Sequence, residues 1–226
     1  APGALPNPAA VRQKHAGSKH EYMAHIEDLY TTRGYEYMAY ADPYQFLSRV
    51  KVPVMYLIGT NDRLFNSFDD HGFYPFYQGD KSFAYVANYG HGMATHEHVR
   101  AYRAWAAHCF WGRPITRLTA MGTVEQGELK VSAIVQSQSE ITELRLLYCF
   151  KKGARFNDAK DRYKSLPMKR VGDGGYWKAA LPSDREVYWY VEARDRAQGL
   201  ESIATTLLKR TQRNRRPPAQ TRRQDS

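Results

Sequence analysis

The most informative stretch of the sequence is VMYLIGTND, residues 54–62. Its first six residues form a continuous apolar run, which is typical of a strand buried on both faces of a parallel sheet. A second such run, SFAYVA at residues 82–87, is followed by Asn88-Tyr89-Gly90-His91-Gly92. In an open sheet of parallel strands, functional groups collect just past the carboxyl ends of the strands. The two runs therefore predict a site made from the residues that follow them.

Helices are predicted on both sides of this pair. HEYMAHIEDLYTTRG, residues 20–34, has apolar residues at helical spacing and Gly34 as its end. THEHVRAYRAWAAHCFWG, residues 95–112, has Thr95 as N-cap and Gly112 as stop. Its apolar positions are Val99, Tyr102, Trp105, Ala106, Cys109 and Phe110. Alternating strands and helices predict the α/β fold class for this part of the chain.

The sequence changes character near residue 115. LKVSAIV alternates, whereas ITELRLLYCF and EVYWYVEARD are rich in β-branched and aromatic residues. We expect a small antiparallel β-sandwich, similar to immunoglobulin or fibronectin type III modules. In Tyr188-Trp189-Tyr190 one parity must face away from the sandwich core, and we expect it to pack on the preceding domain. The predicted organisation is a lead-in (1–20), an α/β unit (21–114), a sandwich (115–208) and a basic disordered tail (209–226).

The net charge is +10, and it is unevenly distributed. Residues 209–226 contain seven Lys and Arg and one Asp, so this tail carries +6 and the rest of the chain +4. From the positive charge of this tail we predict at most non-specific contact with phosphates or anionic lipids, and no specific nucleic-acid partner. No apolar run reaches the roughly 20 residues of a membrane-spanning helix, so we predict no transmembrane segment.

Asp62 and His91 are the candidate catalytic residues. At the ends of neighbouring strands, a carboxylate can fix the tautomer of an imidazole and stabilise its charged form, while the second ring nitrogen acts as a general base. The alternative is that Asp62 only caps a turn and that His91 is an ordinary loop residue. Asp69 and Asp70 compete as the acid, but they follow no strand.

The sequence offers little for a metal or a cofactor. His91, His96 and His98 are close together, but residues two apart on a helix do not face each other. Cys109 and Cys149 form no Cys-x-x-Cys pair. We therefore predict no metal site and no bound cofactor.

The stretch ADPYQFLSRVKVPVMYLIGTNDRLFNSFDDHGFYPFYQGDKSFAYVANYGHG, residues 41–92, resembles the PhoPQ-activated pathogenicity-related family. Ala87 departs from the Pro of the family pattern, and Arg63 stands where an acidic residue is common. The matching positions are Asp42-Pro43-Tyr44, Asn61-Asp62, Phe73-Tyr74, Gly79-Asp80-Lys81 and Asn88-Tyr89-Gly90-His91.

The resemblance, which spans roughly residues 20–205, implies the C-terminal half of an α/β-hydrolase-like parallel sheet followed by the sandwich. It implies a Ser-Asp-His arrangement in which Asp62 is the acid and His91 the base. It also implies an exported bacterial protein that hydrolyses an ester or amide in an undefined small-molecule or peptide substrate.

The nucleophile expected for such a site is missing from the sequence. Hydrolases of this kind carry their serine in Gly-x-Ser-x-Gly, ahead of the acid and the histidine. Ser18 has Ala16 and His20 in place of the glycines. Two hypotheses remain open: the chain completes a site whose serine lies in a missing N-terminal half or partner chain, or it is a non-catalytic interaction protein. Under either hypothesis we expect this chain alone to be inactive.

Overall fold

The computed structural model describes residues 28, 31–41, 46, 48–62, 77–150, 161–183 and 186–211. This part of the chain contains two helices and eleven strands, and neither helix is long and apolar enough to cross a membrane. The helices are α1 (Thr32–Ala41) and α2 (His96–Trp111). The strands are β1 (Val54–Gly59), β2 (Lys81–Val86), β3 (Arg117–Glu125), β4 (Glu128–Gln136), β5 (Glu140–Phe150), β6 (Lys164–Pro167), β7 (Lys169–Arg170), β8 (Tyr176–Pro182), β9 (Val187–Ala197), β10 (Leu200–Thr205) and β11 (Lys209–Thr211).

The two apolar runs form a parallel pair of strands. β1 and β2 pair along their whole length, from Val54 opposite Lys81 to Gly59 opposite Val86. The first strand has the predicted bounds, and the second begins and ends one residue earlier than predicted. Because both strands run in the same direction, the residues that follow them emerge at the same edge of the pair.

Helix α2 begins and ends where the sequence predicts. The Thr95 side chain accepts a hydrogen bond from the backbone N–H of His98, and Gly112 closes the helix at a left-handed φ of 65°. The helix packs through small residues, which allow close approach to β2 and β10. The buried positions are His98, Ala101, Ala104 and Ala107, whereas Val99, Tyr102, Phe110 and Trp111 are exposed. The larger apolar residues therefore mark the helix but not its buried face.

The predicted helix end at Gly34 is wrong. Gly34 lies inside α1, in the first turn, where its backbone N–H donates to the Thr31 hydroxyl at 3.1 Å. Thr31 thus acts as a cap at the start of this helix, and residues 20–27, 29 and 30 of the predicted helix lie outside the described residues.

Two antiparallel sheets follow α2. One has the strand order β3-β4-β8-β7, and the other has the order β10-β9-β5-β6 with β11 also pairing with β9. Their inner faces share one core, so the two sheets together form a sandwich. In this core Trp189 is 1% exposed and packs with residues of both sheets. A side chain at Gly122 would collide with the Trp189 ring, so β3 carries a glycine at that position.

The predicted fold class, an α/β hydrolase-like half built on a parallel sheet, is wrong. Strands make up 49% and helices 18% of the described residues. Within the same residues, parallel pairing is confined to β1 and β2, and every other pairing is antiparallel. A continuous apolar run identifies a buried strand, but it does not say how many parallel neighbours that strand has. The described chain is a mainly β structure.

The β1–β2 pair packs directly on the sandwich. Tyr188 and Tyr190, which flank Trp189, belong to a buried cluster with Phe83 and Tyr85 of β2. The ring centroids of Tyr85 and Tyr190 are 5.3 Å apart in an edge-on arrangement. The expectation that one parity of this segment faces the preceding domain is confirmed.

A buried ion pair joins the end of α2 to the sandwich. The Arg113 guanidinium donates to the Asp195 carboxylate, and both side chains are 1% exposed. Asp195 also accepts from the Thr116 hydroxyl at 2.6 Å, and Arg113 donates to the carbonyl oxygen of Leu200 at 3.2 Å. This network fixes the connection between the two parts of the chain.

The basic segment enters the sheet at its start. Lys209, Arg210 and Thr211 form β11, opposite Trp189, Tyr188 and Val187 of β9. The sequence predicts these three residues to lie in the disordered tail, whereas the structure places them in the sandwich. Residues 212–226, like the lead-in 1–20, lie outside the described residues.

Candidate functional site

Asp62 and His91 meet at the edge where β1 and β2 end. His91 Nδ1 lies 3.0 Å from Asp62 Oδ2. The Asp62 side chain is 4% exposed and the His91 side chain is 53% exposed. An ionised carboxylate only accepts hydrogen bonds, so this contact places the imidazole proton on Nδ1 and makes Nε2 the basic ring nitrogen. The pair has the geometry of a carboxylate that orients a histidine.

The two loops that carry this pair are bonded to each other. The backbone N–H of Asn61 donates to the Tyr89 carbonyl at 2.9 Å, and that of Thr60 donates to the Val86 carbonyl at 3.0 Å. The Thr60 hydroxyl accepts from the backbone N–H of Asn88 at 2.8 Å. These bonds set the distance between the Asp62 loop and the His91 loop.

Gly59 makes this close approach possible. A Cβ atom at this position would collide with the carbonyl oxygens of Tyr89 and Gly90 in the His91 loop. At Gly90 itself, an added Cβ would meet no atom of the described residues within 4 Å. The end of β1 therefore requires a glycine, whereas the His91 loop does not require one at residue 90.

We expect Gly59→Ala to separate the two loops and to lower the free energy of unfolding by about 1–3 kcal/mol, as for other overpacked positions. The hydrogen bond between His91 and Asp62 should be lost with it. Urea unfolding and the imidazole N–H resonance of His91 measure the two effects. Gly90→Ala is the matched control and should change neither of them. Equal behaviour of the two variants would contradict the role given to Gly59.

The three neighbouring histidines do not converge. His91 pairs with Asp62, His96 is exposed, and His98 is buried at the start of α2. In the described ranges, no group of three or more His, Cys, Asp and Glu side chains is arranged to hold a metal ion. The competing acids Asp69 and Asp70, and Ser18, lie outside those ranges.

His98 has a structural environment. Its Nδ1 lies 2.6 Å from the Thr95 hydroxyl and 3.4 Å from the Thr95 backbone nitrogen, so the ring occupies the capping-box position usually taken by Glu or Gln. Its ring also packs edge-on against Tyr89, with centroids 4.9 Å apart. Burial lowers the pKa of His98, and the nearby charge of Glu97 only partly opposes this effect. A neutral ring accepts at Nδ1, and protonation would remove that acceptor.

The lowered pKa of His98 predicts a pH-dependent stability. In the unfolded chain a histidine titrates near its ordinary pKa of about 6.5, so the unfolded state binds the proton more tightly than the folded state does. The contribution of His98 to the free energy of unfolding is therefore complete above a pH of about 6.5 and is lost as the pH falls below that value. We expect His98→Gln, which keeps a capping acceptor, to flatten this part of the profile of unfolding free energy against pH. The exposed His96→Gln should leave the slope unchanged, and a slope that survives in His98→Gln would refute the assignment.

A second pair of histidine and carboxylate lies at the far end of α2. His108 Nε2 is 3.1 Å from Asp80 Oδ2, and its Nδ1 is 2.8 Å from the Arg113 carbonyl oxygen. Burial raises the pKa of Asp80, but hydrogen bonds from Arg117 and His108 outweigh it and bring that pKa below its usual value. Both ring nitrogens of His108 have protein partners, and Asp80, the residue before β2, also accepts a hydrogen bond from Arg117 of β3. The pair therefore links α2 to the starts of β2 and β3.

The sequence did not indicate that two asparagines of the site contact the sandwich. Asn61 and Asn88 match the family pattern, but the pattern implies no role for them. In the structure their side-chain amides bond to the backbone of Asp161 and Tyr163. Asn88 also has a left-handed φ of 62°. An asparagine directly after a strand is the signal for such a conformation, because it tolerates positive φ better than most residues do.

Comparison with known proteins supports the resemblance at the family level. The model of the PhoPQ-activated pathogenicity-related protein family matches residues 20–155, which is more than half of the 226 residues. The matched range contains Asp62 and His91 and extends through β5. No curated protein matches the chain. The chain therefore belongs to the PhoPQ-activated pathogenicity-related protein family.

Proposed function

We propose that this chain supplies the acid and the base of a serine-hydrolase-like site, with Asp62 as the acid and His91 as the base. The observation that carries the proposal is the 3.0 Å contact between His91 Nδ1 and a carboxylate that is almost fully buried. The family match includes both residues. The described fold is mainly β and does not itself indicate a hydrolase. The proposal therefore rests on this local geometry and on the family.

The proposed chemistry is hydrolysis of an ester or an amide. Asp62 holds the His91 proton on Nδ1, so that Nε2 can take a proton from an attacking hydroxyl and later return it to the leaving group. The positive charge that forms on the imidazole is stabilised by Asp62, whose position is fixed by the bonds between the two loops. The half-exposed His91 ring is accessible for this exchange.

The nucleophile is proposed to lie outside these 226 residues, in an N-terminal half of a longer protein or in a partner chain. A serine in Gly-x-Ser-x-Gly, ahead of the acid and histidine in chain order, is the residue type that the pair would activate. The backbone N–H groups beside that serine would supply the oxyanion hole. The substrate would then bind between the two halves.

Two experiments test the proposal. The first is to sequence the gene upstream of the codon for Ala1, and the second is to treat the longer protein and the 226-residue chain with a fluorophosphonate. We expect an upstream strand followed by Gly-x-Ser-x-Gly, covalent labelling of that serine in the longer protein, and no labelling of residues 1–226 alone. If the gene begins at residue 1 and no partner chain restores labelling, the non-catalytic interaction protein is the better reading. Labelling of a serine within residues 1–226 would also overturn the proposal.

A further inference from the structure

The two loops of the site are both attached to one short segment of the sandwich. Asn61 Nδ2 donates to the carbonyl oxygen of Asp161 at 2.9 Å. Asn88 Nδ2 donates to the carbonyl oxygen of Tyr163 at 2.9 Å, and Asn88 Oδ1 accepts from the backbone N–H of Tyr163 at 2.7 Å. Asn61 precedes Asp62 directly, and Asn88 lies three residues before His91. The segment 161–163, just before β6, therefore holds both sides of the site.

Thr60 connects the two amides. Its hydroxyl accepts from the backbone N–H of Asn88 at 2.8 Å and donates to Asn61 Oδ1 at 2.9 Å. With Oδ1 engaged by a donor, the Asn61 amide presents its Nδ2 group to Asp161. Each amide orientation is thus determined by hydrogen bonds on both of its atoms. Such a connected network favours a single arrangement of the loops.

The segment that receives these bonds is fixed in the core. Tyr163 is 8% exposed and belongs to the buried cluster with Leu147, Tyr188 and Tyr190. Its ring centroid lies 5.7 Å from that of Tyr190. Movement of the segment would disturb this cluster, so the asparagines bind to a rigid support rather than to a free loop.

We infer that Asn61 and Asn88 are positioning residues through which the sandwich holds Asp62 and His91 in hydrogen-bonding contact. The inference rests on the proposed roles of Asp62 and His91 and assigns the sandwich a part in that site. Asn88 adopts its left-handed backbone with its amide paired to Tyr163. Without that pairing the loop that leads to His91 is free to shift, and displacements near 1 Å are enough to impair catalytic geometry.

The test uses the full 226-residue chain labelled with ¹⁵N at its histidines. The probe is the His91 imidazole itself: the ¹⁵N shifts report which ring nitrogen carries the proton, and a downfield N–H resonance reports the bond to Asp62. Asn88→Gly keeps the left-handed backbone accessible and removes only the amide, so it separates the side-chain bonds from the backbone conformation. Gln126→Gly, another non-glycine residue with positive φ (52°), in the β3–β4 turn, is the matched control.

We expect Asn88→Gly and Asn61→Ala to lose the downfield resonance and to move the His91 ¹⁵N shifts to those of Asp62→Ala. Gln126→Gly should keep the pattern of the unsubstituted chain. A merely structural role of the amides would lower the urea midpoint without changing the His91 tautomer. If Asn88→Gly does not fold, Asn88→Asp keeps the acceptor for the Tyr163 N–H and should show a partial loss.

An unchanged His91 tautomer in folded Asn61→Ala together with either folded Asn88 variant would overturn the inference. Because these measurements need no nucleophile, they are independent of the labelling test. Failure of the longer protein to react with fluorophosphonate, with the tautomer still dependent on Asn88, would remove the proposed function and leave the positioning role. If the His91 ring of the unsubstituted chain is a mixture of the two tautomers, both the proposed function and the positioning role are overturned.

Discussion

Replacing His91 with Ala is expected to slow fluorophosphonate labelling of the proposed longer, serine-containing protein by roughly 10⁴-fold or more, as loss of the base does in serine hydrolases. The reason is that no other group in the described site is placed to take the proton from the attacking hydroxyl, since His98 caps α2 and His108 is bonded at both ring nitrogens. His91 is half exposed, so its truncation should leave the free energy of unfolding almost unchanged. Labelling rates and urea unfolding measured on the same preparations separate the two effects.

His96→Ala is the control for this prediction, because His96 is exposed, lies five residues further along, and is not part of the pair. It should label at the rate of the unsubstituted protein. A fall of less than tenfold in His91→Ala would mean that His91 is not the base.

Replacing Asp195 with Ala is expected to lower the free energy of unfolding by about 3–5 kcal/mol, the usual cost of removing one partner of a buried ion pair. Arg113 would be left charged and buried, and the Thr116 hydroxyl would lose its acceptor. This is a large part of the roughly 5–15 kcal/mol that stabilises a typical domain. Urea unfolding of the 226-residue chain measures it.

The double replacement Arg113→Met with Asp195→Leu should recover most of the lost stability, because it removes both charges together. Glu125→Ala, which breaks the exposed pair between Glu125 and Lys130, should leave the unfolding midpoint almost unchanged. If Asp195→Ala is as stable as Glu125→Ala, the buried ion pair does not hold the two parts of the chain together.

The elements that local physics determines were predictable from the sequence. β1 has the predicted bounds, and α2 begins after Thr95 and ends before Gly112 as expected. The buried face of α2 could not be predicted from the sequence, because tight packing on β2 and β10 selects Ala101 and Ala104 over the larger residues of the helix. The fold class failed for a similar reason: a run such as 54–59 indicates a buried strand, while the number and direction of its neighbours depend on distant segments.

Asp62 and His91 could be identified because strand ends are positions where polar side chains leave the packed layer, and the two strands end together. The contacts of the Asn61 and Asn88 amides could not be predicted from the sequence, since Asn61 and Asp161, for example, are 100 residues apart along the chain. The same applies to the bond between Arg113 and Asp195, which are 82 residues apart. Contacts of this range are set by how the sandwich packs on β1 and β2.

The most direct test of the central claim, that Asp62 acts through His91, is a double-mutant cycle of labelling rates in the longer protein. Asp62→Asn alone should slow labelling by roughly 10⁴-fold, because the imidazole tautomer is no longer fixed. Residues that act as one unit are strongly non-additive. We therefore predict that the variant with both Asp62→Asn and His91→Ala labels no more slowly than His91→Ala alone. Multiplication of the two single effects would show that Asp62 and His91 act independently and would contradict the account.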